Sequence, residues 1–475
     1  MGRESVVYGF STILARLLNF FLVPFYTYFL TTSEYGVASS VFAYVAFFNV
    51  IFQYGMDQAY MRFSSEKNIG DALAFSTAFW SVLGTASVLS LPLWLFPAQV
   101  AELCGIGAGN AVIVRYCAAV LTLDALMAVP FARLRMQHRA WFYVSVRTAS
   151  IVVNVAANIV LLSICGMKAD GVFLASLLAS AISFLILLPT VLEALSLRFV
   201  QPLWEHMLHF AWPFIPSGLA ATAVQVINRP MMLFLTDEAT VGVYQASYRL
   251  GVFMMLVVSM FDQAWRPFFL ERKDKPEAPR LFARVMTYFS LGVVWVSIAM
   301  SFFIPALVKF PFGKYHLINP TYWGGLAIMP VVMAGYCFYG FYINFMASIV
   351  ISKQTRVLLW ATLAGALVNI ALNLVLIPRS PLMGAAWATL FSYVAMAAVL
   401  FERGRHCFPI PYEWERLAKI AVVTAITLSL CVVFGDSGWS FKLALLCLFP
   451  LLLFVFSFFE PSEKAAIKKV LTGEF

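Results

Sequence analysis

The sequence contains fourteen apolar stretches, and each is long enough to cross the hydrocarbon core of a bilayer as a helix, which takes about 20 residues. We name these stretches spans 1 to 14 in chain order. The segments between them are short, so the chain has no room for a fused soluble enzyme. The predicted spans cover residues 5–30, 36–59, 73–97, 108–131, 141–164, 170–195, 208–235, 241–264, 282–308, 322–350, 355–377, 383–402, 414–434 and 439–459. The predicted fold class is an all-α polytopic membrane protein.

Composition supports this class, because only 12% of the residues are charged whereas soluble domains carry about 25%. Span 1 is too long for a cleavable signal peptide and has a charge, Arg16, near its middle. The seven cysteines and five histidines are scattered, without the spacing of a metal site or a disulfide framework. No P-loop or hydrolase motif occurs, so we expect no cofactor, no ATP hydrolysis and no enzymatic chemistry.

Basic residues predict the orientation of the chain in the membrane. Of the 32 Lys and Arg residues, 22 fall in the two tails and one alternating set of loops, 5 fall in the opposite set, and five lie within spans. Lys and Arg concentrate in cytoplasmic loops. We therefore expect a multi-pass membrane protein with both termini in the cytoplasm. The net charge of +9 is explained by this bias, and no nucleic-acid partner is expected.

Internal repeats divide the chain. Phe-Leu-Thr and Asp-Gln-Ala each recur at an offset of 205 residues, and the pattern VNxAxNxVL recurs at an offset of 215. The matching segments are 29–31 and 234–236, 57–59 and 262–264, and 153–161 and 368–376. All three matches keep the same order and the same predicted membrane side, which predicts two six-helix halves in parallel orientation.

The repeats set the predicted domains: an N-lobe of spans 1–6 (1–200), a C-lobe of spans 7–12 (201–405), and two additional helices with a cytoplasmic tail (406–475). Parallel repeats are common in alternating-access transporters, where the substrate site lies between the halves. A duplicated scaffold without a transport role is the alternative, but it would leave the charges within the spans unexplained.

Two arginines fall near mid-membrane, one in each half: Arg16 in span 1 and Arg249 in span 8. Arg16 lies about 16 Å from Ser5 along a helix that rises 1.5 Å per residue. A guanidinium group at this depth is costly unless it faces protein or water. We predict that both line a cavity and hold an anion; the alternative is a structural role against helix carbonyls or an acidic neighbour.

The other arginines within spans, Arg115, Arg147 and Arg229, lie near predicted span ends, where their side chains can also reach the headgroups. Arg147 and Arg229 are retained as candidate substrate-binding residues. Gln225 and Asn228 accompany Arg229 in span 7, and three prolines break that span, a feature tolerated where the backbone faces a cavity.

Acidic residues at the cytoplasmic ends of spans 2 and 8 can pair with basic neighbours. Asp57 with Arg62, and Asp262 with Arg266, are predicted to form either a lateral gate or plain helix-end bridges. Asp124 is the only carboxylate deep within a span. It can neutralise Arg147 or take part in ion coupling.

Polar amides within the spans can bind sugars or join helices to one another. Gln53 is included among the substrate-binding candidates, whereas helix contact is favoured for the repeated asparagines of spans 5 and 11. The residues are Asn19, Asn49, Gln53, Asn154, Asn158, Gln225, Asn344, Asn369 and Asn373.

Several segments resemble the polysaccharide and O-antigen (Wzx-type) flippases of the multidrug/oligosaccharidyl-lipid/polysaccharide (MOP) exporter superfamily. These segments are TTSEYG, GMDQAYMRF, WPFIPS, VGVYQASYRL, KQTRVLLWATLAGALVNIALNLVLIP and MGAAWATLFSY. The resemblance covers nearly the whole chain. It implies two six-helix lobes arranged in a V and flipping of undecaprenyl-diphosphate-linked oligosaccharides to the outer leaflet. It also implies cationic cavity residues on the diphosphate, a role that we transfer to Arg16 and Arg249 and, more weakly, to Arg229.

The expected partners are the lipid-linked oligosaccharide and membrane lipids, with a polysaccharide polymerase and glycosyltransferases as further candidates, and we expect a monomer. A flippase for lipid II, the peptidoglycan precursor, is a related alternative. A cation-coupled small-molecule exporter would depend on Asp124 rather than Arg16. A membrane-bound glycosyltransferase or polymerase is disfavoured, because the chain lacks a large periplasmic loop or a soluble catalytic domain.

Overall fold

A computed structural model describes residues 22–66, 69–434, 438–461 and 463–464. Residues 22–29 of span 1 are helical. The helices of spans 2 to 6 are Thr32–Gln53, Met56–Phe63, Asp71–Leu95, Ala111–Met136, Ala140–Ile159 (continued by a π turn, Val160–Ile164) and Ala169–Ala194. Short helices Pro97–Leu103 and Ala108–Asn110 lie between spans 3 and 4.

The helices of spans 7 to 14 follow the same pattern: Gln201–Ala211, Phe214–Val226, Asn228–Leu235, Glu238–Leu250, Val252–Arg272, Ala278–Lys309, Pro320–Ile328 (3-10), Met329–Ile351, Arg356–Leu376, Pro381–Cys407, Trp414–Phe434 and Trp439–Val455. Each predicted span from 2 to 14 therefore contains helix. In the described part of the chain, ten helices are long and apolar enough to cross a membrane, or eleven if the helices flanking Gly251 count as one span. The predicted all-α polytopic class is confirmed.

One two-stranded antiparallel hairpin interrupts the helices within the described residues. It pairs Pro311–Phe312 with Tyr315–His316. Gly313 takes a positive φ of 66° in the turn, which a residue without a β carbon adopts at no steric cost. The hairpin ends span 9 before the chain enters the 3-10 helix of span 10.

Helix breaks occur in spans 2, 7 and 8. Span 2 breaks at Tyr54 and Gly55, whose φ angles of 34° and 77° are left-handed. Span 7 is divided into three helices, and Pro213 and Pro230 lie at the start of its second and third helices. Proline fits the first turn of a helix because the amide hydrogens there have no partner within the helix. The predicted disruption of span 7 by proline is confirmed.

The chain forms two compact units, with boundaries that follow contacts rather than sequence order. Unit 1 comprises Met1–Val252, Ile318–Leu326 and Gly365–Ser392. Unit 2 comprises Phe253–Leu317, Ala327–Ala364 and Tyr393–Phe475.

Unit 1 contains an asparagine pair that joins span 5 to span 1. The Asn158 side chain is fully buried; its amide nitrogen donates to the Asn154 carbonyl oxygens at 2.8 and 3.2 Å, and its oxygen accepts from the Tyr26 hydroxyl at 3.0 Å. A buried amide of this kind joins helices in an apolar environment.

The repeat-related asparagines of span 11 make the corresponding contact with span 7, also inside unit 1. Asn373 donates to the side-chain oxygen of Asn369 at 2.6 Å and to that of Asn228 at 2.8 Å. Span 5 therefore bonds to span 1, and span 11 to span 7, as expected for a duplicated bundle. The asparagines of the VNxAxNxVL pattern are helix contacts.

Spans 2 and 8 cross closely at their amino-terminal ends. A β carbon built on Gly36 would lie 1.7 Å from the carbonyl oxygen of Glu238, and one built on Gly242 would lie 2.0 Å from that of Thr32. Only glycine permits this approach of two backbones. The Ser33 hydroxyl donates a hydrogen bond to the Glu238 carboxylate at the same crossing. The two glycines are 206 residues apart, within one residue of the offset of the neighbouring repeat matches.

Unit 2 packs spans 13 and 14 against span 9 around an apolar core centred on Phe449 and Val423. At its edge the largely buried guanidinium group of Arg416 pairs with Glu413 at 3.1 Å and with Glu463 at 3.0 Å. Glu460 lies 4.0 Å away. This network links the start of span 13 to the segment after span 14.

Candidate functional site

Arg249 is the second-last residue of the helix Glu238–Leu250, beside the break at Gly251. Its side chain is half-buried, and its charge acts on the phenols of Tyr26 and Tyr35. Among the residues that the structure describes, no carboxylate forms an ion pair with it. The break places this guanidinium group where one helix ends, inside unit 1.

Arg229 is the second residue of the helix Asn228–Leu235 and is also half-buried. Its guanidinium carbon lies 6.0 Å from the ring centroid of Tyr248, within cation–π range. The charges of Arg229 and Arg249 act on one another. Arg229 likewise has no carboxylate partner in the described part of the chain. Two like charges therefore lie within electrostatic range of one another.

A paired arginine elsewhere in unit 1 shows what is missing at this site. Arg133 is buried, but its guanidinium group lies 3.1 Å from the Asp71 carboxylate and donates to the Thr190 carbonyl oxygen at 3.3 Å. A buried charge needs such partners to offset its desolvation. Arg229 and Arg249 lack a carboxylate of this kind, which makes their surroundings suited to an anion from outside the chain.

Tyrosines surround the two arginines. Tyr244 and Tyr248 stack with centroids 5.5 Å apart, and Tyr26 and Tyr35 have centroids 5.9 Å apart. All four side chains are at least nine-tenths buried. Both arginines keep some accessible surface. The buried rings make their surroundings less polar, and electrostatic attraction is stronger in such surroundings than in bulk water. We name Arg229, Arg249 and these four tyrosines the arginine–tyrosine site.

Arg16, the predicted partner of Arg249 from the other half, lies outside the described residues. Its proposed contact with an anion stays a prediction. The same holds for Asn19.

Of the polar neighbours predicted to bind substrate, Asn228 is fully engaged within the protein. Its amide nitrogen donates to Thr389 at 2.6 Å, to Tyr244 at 3.1 Å and to the Ala385 carbonyl oxygen at 3.2 Å, and its oxygen accepts from Asn373. A side chain whose hydrogen-bonding groups are all satisfied has little left for cargo. We therefore assign Asn228 to helix packing beside the site rather than to substrate binding.

The amides Gln225 and Gln53 keep accessible surface. Gln225 is exposed, near the end of the helix Phe214–Val226. Gln53 is half-buried at the end of the helix Thr32–Gln53 and makes a long 3.5 Å contact with Asn49. Their roles in binding stay predictions.

Arg115 and Arg147 are exposed, in keeping with side chains at span ends. Arg147 lies over the Phe131 ring at 4.1 Å. Asp124 accepts a hydrogen bond from Ser180 at 2.8 Å and feels the charge of Arg147, but the two do not form an ion pair. Whether Asp124 neutralises Arg147 or takes part in ion coupling stays a prediction.

The predicted pairing of Asp262 with Arg266 is confirmed at 2.7 Å. The predicted pairing of Asp57 with Arg62 is wrong, since Asp57 lies 3.5 Å from Arg135. Residues four apart share a helix face, whereas residues five apart point about 140° away from each other.

The freed Arg62 lies over the ring of Phe210, 5.0 Å from its centroid. A gating role for these residues stays a prediction.

Sequence reasoning missed the tyrosines of the arginine–tyrosine site. A signal was available in VGVYQASYRL, where Tyr244 and Tyr248 are four residues apart and Arg249 follows. This spacing puts both rings on one helix face. The proximity of Tyr26 and Tyr35 had no comparable signal, because it depends on how spans 1 and 2 fold back on one another at the turn between them.

Within residues 22–66, 69–434, 438–461 and 463–464, no group of His, Cys, Asp or Glu side chains is placed to hold a metal ion.

Solved structures with a similar fold are membrane transporters. The chain matches the lipid II flippase MurJ, in an inward closed conformation, with a TM-score of 0.72 at 16% identity, over 96% of this chain and 98% of that one. It matches an inward-facing multidrug resistance MATE family transporter of the MOP superfamily with a TM-score of 0.61 at 12% identity, over 82% of this chain and 94% of that one. At these identities the likeness establishes the fold.

Among curated proteins, the chain is 18% identical over 353 residues to Lsg locus protein 1 of Haemophilus influenzae, covering 71% of this chain and 84% of that protein. The family model described as polysaccharide biosynthesis protein matches residues 27–318. This match includes both glycines of the crossing between spans 2 and 8, the broken span 7 and the two arginines of the site. The chain belongs to the polysaccharide biosynthesis protein family and has the helical fold of MOP-superfamily transporters.

Proposed function

We propose that this protein is a flippase that moves undecaprenyl-diphosphate-linked oligosaccharide units from the cytoplasmic to the outer leaflet by alternating access. The observation that carries the proposal is the pair Arg229 and Arg249, two neighbouring guanidinium groups without a carboxylate partner among the described residues. Family membership and the transporter fold support transport of a lipid-linked precursor of a polysaccharide.

The charge of the site favours a diphosphate cargo. A diphosphate carries at least two negative charges, and removing these from water requires cationic partners. Arginine offers a planar fork of donors that matches phosphate oxygens, and such charge-assisted bonds are stronger than neutral ones. An exporter of organic cations would instead need a carboxylate beside the cargo. The arginine–tyrosine site offers none in the described part of the chain.

The duplicated helices support alternating access. Spans 2 and 8 occupy equivalent positions in the two repeats, and their ends meet at Gly36 and Gly242. If both termini are cytoplasmic, this contact lies on the outer side of the membrane and closes that side of the site. We propose lobes formed by residues 1–200 and 201–405, which separate at this contact to release cargo outward.

No covalent step is part of the proposal. The cargo crosses unchanged: its headgroup and sugars pass through the protein interior, and its prenyl chain stays in lipid. Arg16 is proposed as a further contact from the first repeat. The bacterial inner membrane is the proposed location, because the undecaprenyl carrier is used there.

A reconstituted assay tests the proposal. The full chain is placed in liposomes containing undecaprenyl-diphosphate-linked oligosaccharide with a fluorescent sugar, and a membrane-impermeant quencher reports the fraction in each leaflet. We expect protein-dependent flipping that Arg249→Gln slows at least about tenfold, because a charge-assisted hydrogen bond contributes about 1.5–3 kcal/mol. Arg115→Gln removes an exposed arginine from another span and is the matched control.

Unchanged flipping by Arg249→Gln would refute the diphosphate site. Labelled lipid II in the same liposomes distinguishes the related alternative. If lipid II were flipped faster than the undecaprenyl-diphosphate-linked oligosaccharide, lipid II would replace it as the proposed substrate.

A further inference from the structure

Tyr35 is a buried tyrosine whose hydroxyl group has no partner. It lies in the first turn of the helix Thr32–Gln53, next to Gly36, and its side chain is 3% exposed. Within the described part of the chain, the hydroxyl makes no hydrogen bond. Buried polar groups are nearly always hydrogen-bonded, so an orphaned donor requires an explanation.

The neighbouring tyrosines show that the missing partner is specific to Tyr35. Tyr26 donates to Asn158 at 3.0 Å, and Tyr322, whose ring centroid lies 6.0 Å from that of Tyr35, donates to the Leu30 carbonyl oxygen at 2.9 Å. These two hydroxyl groups are satisfied inside the protein. The Tyr35 hydroxyl is not.

The charges that act on the Tyr35 phenol are those of Arg249 and Arg229. A phenol hydroxyl and two guanidinium groups are all hydrogen-bond donors. Three donor groups in one water-poor region, without a carboxylate among the described residues, are complementary to a ligand rich in acceptor oxygens. Such a ligand would give each donor its partner at once.

The backbone beside Tyr35 is held firmly in place. Gly36 packs against the carbonyl oxygen of Glu238, and the Thr31 and Glu34 side chains cap the start of the same helix. The ring of Tyr35 is therefore fixed before cargo arrives. A preorganised donor loses little freedom on binding, which increases its contribution to affinity.

We propose that the Tyr35 hydroxyl is a specificity-determining donor to the cargo headgroup and selects diphosphate over monophosphate. The inference rests on the proposed function. A diphosphate presents enough oxygen atoms to accept from both arginines and from Tyr35 together. A monophosphate is satisfied by the arginines and leaves the Tyr35 hydroxyl orphaned.

The test compares the wild-type chain with Tyr35→Phe, which removes only the hydroxyl. Binding of undecaprenyl diphosphate and undecaprenyl monophosphate to the purified full chain is measured by native mass spectrometry. We expect Tyr35→Phe to weaken diphosphate binding about tenfold, as for loss of a hydrogen bond to a charged group, with less than about a twofold change for monophosphate. Its unfolding temperature should stay the same or rise, because removing an unpaired buried hydroxyl relieves a cost.

Tyr322→Phe is the matched control, since that hydroxyl bonds to the protein backbone. It should lower the unfolding temperature and leave the diphosphate-to-monophosphate ratio unchanged. If Tyr35→Phe keeps the wild-type ratio, or weakens both ligands equally, the inference is overturned.

The Arg249→Gln variant distinguishes a failure of the Tyr35 inference from a failure of the proposed function. Wild-type diphosphate binding by Arg249→Gln would refute the diphosphate site itself. Loss of binding in Arg249→Gln, together with an unchanged ratio in Tyr35→Phe, would leave that site in place and remove only the role of Tyr35.

Discussion

Gly36 and Gly242 lie at a backbone contact between two helices that occupy the same position in the two repeats. The helix of each glycine approaches the other so closely that an added β carbon would overlap a carbonyl oxygen. The contact is reciprocal, with Gly36 facing Glu238 and Gly242 facing Thr32. In the alternating-access mechanism proposed above, this contact forms and separates, and two glycines allow it to form without a side chain between the helices.

Replacing Gly36 by alanine should separate the amino-terminal ends of spans 2 and 8. The contact is measured by disulfide formation between Ser33→Cys and Glu238→Cys in a background without the native cysteines. We expect Gly36→Ala to lower the cross-linking yield roughly tenfold, because overpacking a close contact costs about 1–3 kcal/mol.

Gly84→Ala is the matched control for that experiment, since an added β carbon there meets nothing within 4 Å. It should leave cross-linking unchanged and stabilise span 3 by about 0.5–1 kcal/mol. Wild-type cross-linking in Gly36→Ala would show that the contact is not closed in the membrane.

Arg249→Lys should flip cargo at an intermediate rate. Lysine keeps the positive charge but presents it as a point charge, without the planar fork of arginine. In the liposome assay we expect the flipping rate to fall roughly three- to tenfold, a smaller loss than for Arg249→Gln. The retained positive charge supplies about half of the strength of a charge-assisted hydrogen bond to phosphate. Arg249→Glu should abolish flipping, as should Arg16→Glu, while both proteins still insert. Equal rates for Arg249→Lys and Arg249→Gln would show that fork geometry dominates over charge.

The asparagine contacts should contribute to stability in both repeats. Asn158→Leu and Asn373→Leu should each lower the free energy of unfolding by about 0.5–2 kcal/mol, the range for polar contacts between membrane helices. Each change leaves buried groups without a hydrogen-bond partner: the Tyr26 hydroxyl in Asn158→Leu, and the side-chain oxygens of Asn228 and Asn369 in Asn373→Leu.

Thermal unfolding in detergent measures these costs, with the exposed Gln225→Leu as control. The double variant of Asn228→Leu and Asn373→Leu should lose less than the sum of the single losses. Strict additivity would contradict the hydrogen bond between these residues.

The Arg416 network should make stability depend on pH. Partial burial favours the neutral form of Glu463, but bonds from Tyr288, the Glu460 amide and Arg416 hold the pKa of Glu463 below its ordinary value. Its contribution is therefore present above the unfolded-state pKa of about 4.3 and is lost as the pH falls below that value.

Arg416→Gln should lower the unfolding temperature at pH 7 and flatten its fall between pH 6 and pH 3.5, both measured by thermal unfolding in detergent. Lys464→Gln changes a neighbouring charge that contacts Phe454 rather than a carboxylate, and it should keep the wild-type pH profile. If the unfolding temperature of Arg416→Gln varied with pH in parallel with that of the wild type, the Arg416 network would not be the cause of the pH dependence.

Local patterns explain which predictions were confirmed and which were wrong. Asp262 and Arg266 are four residues apart, so helix geometry alone brings them together. Asp57 and Arg62 are five apart, and the cation that pairs with Asp57 is Arg135, from another helix, Ala111–Met136. No spacing within span 2 encodes that partner.

The sequence by itself determined the membrane class, the spans, the duplication and the charge within the spans, because apolar length, repeated motifs and residue type are properties of the chain. Only the tertiary structure decided that Arg229 and Arg249 act on one another, that Asn228 is engaged by Asn373, and that Tyr35 is left without a partner. Those facts depend on how helices far apart in sequence cross one another. The physical reason is that burial and hydrogen-bond satisfaction are set by neighbours in space, and Gly36 and Gly242 bring such neighbours together.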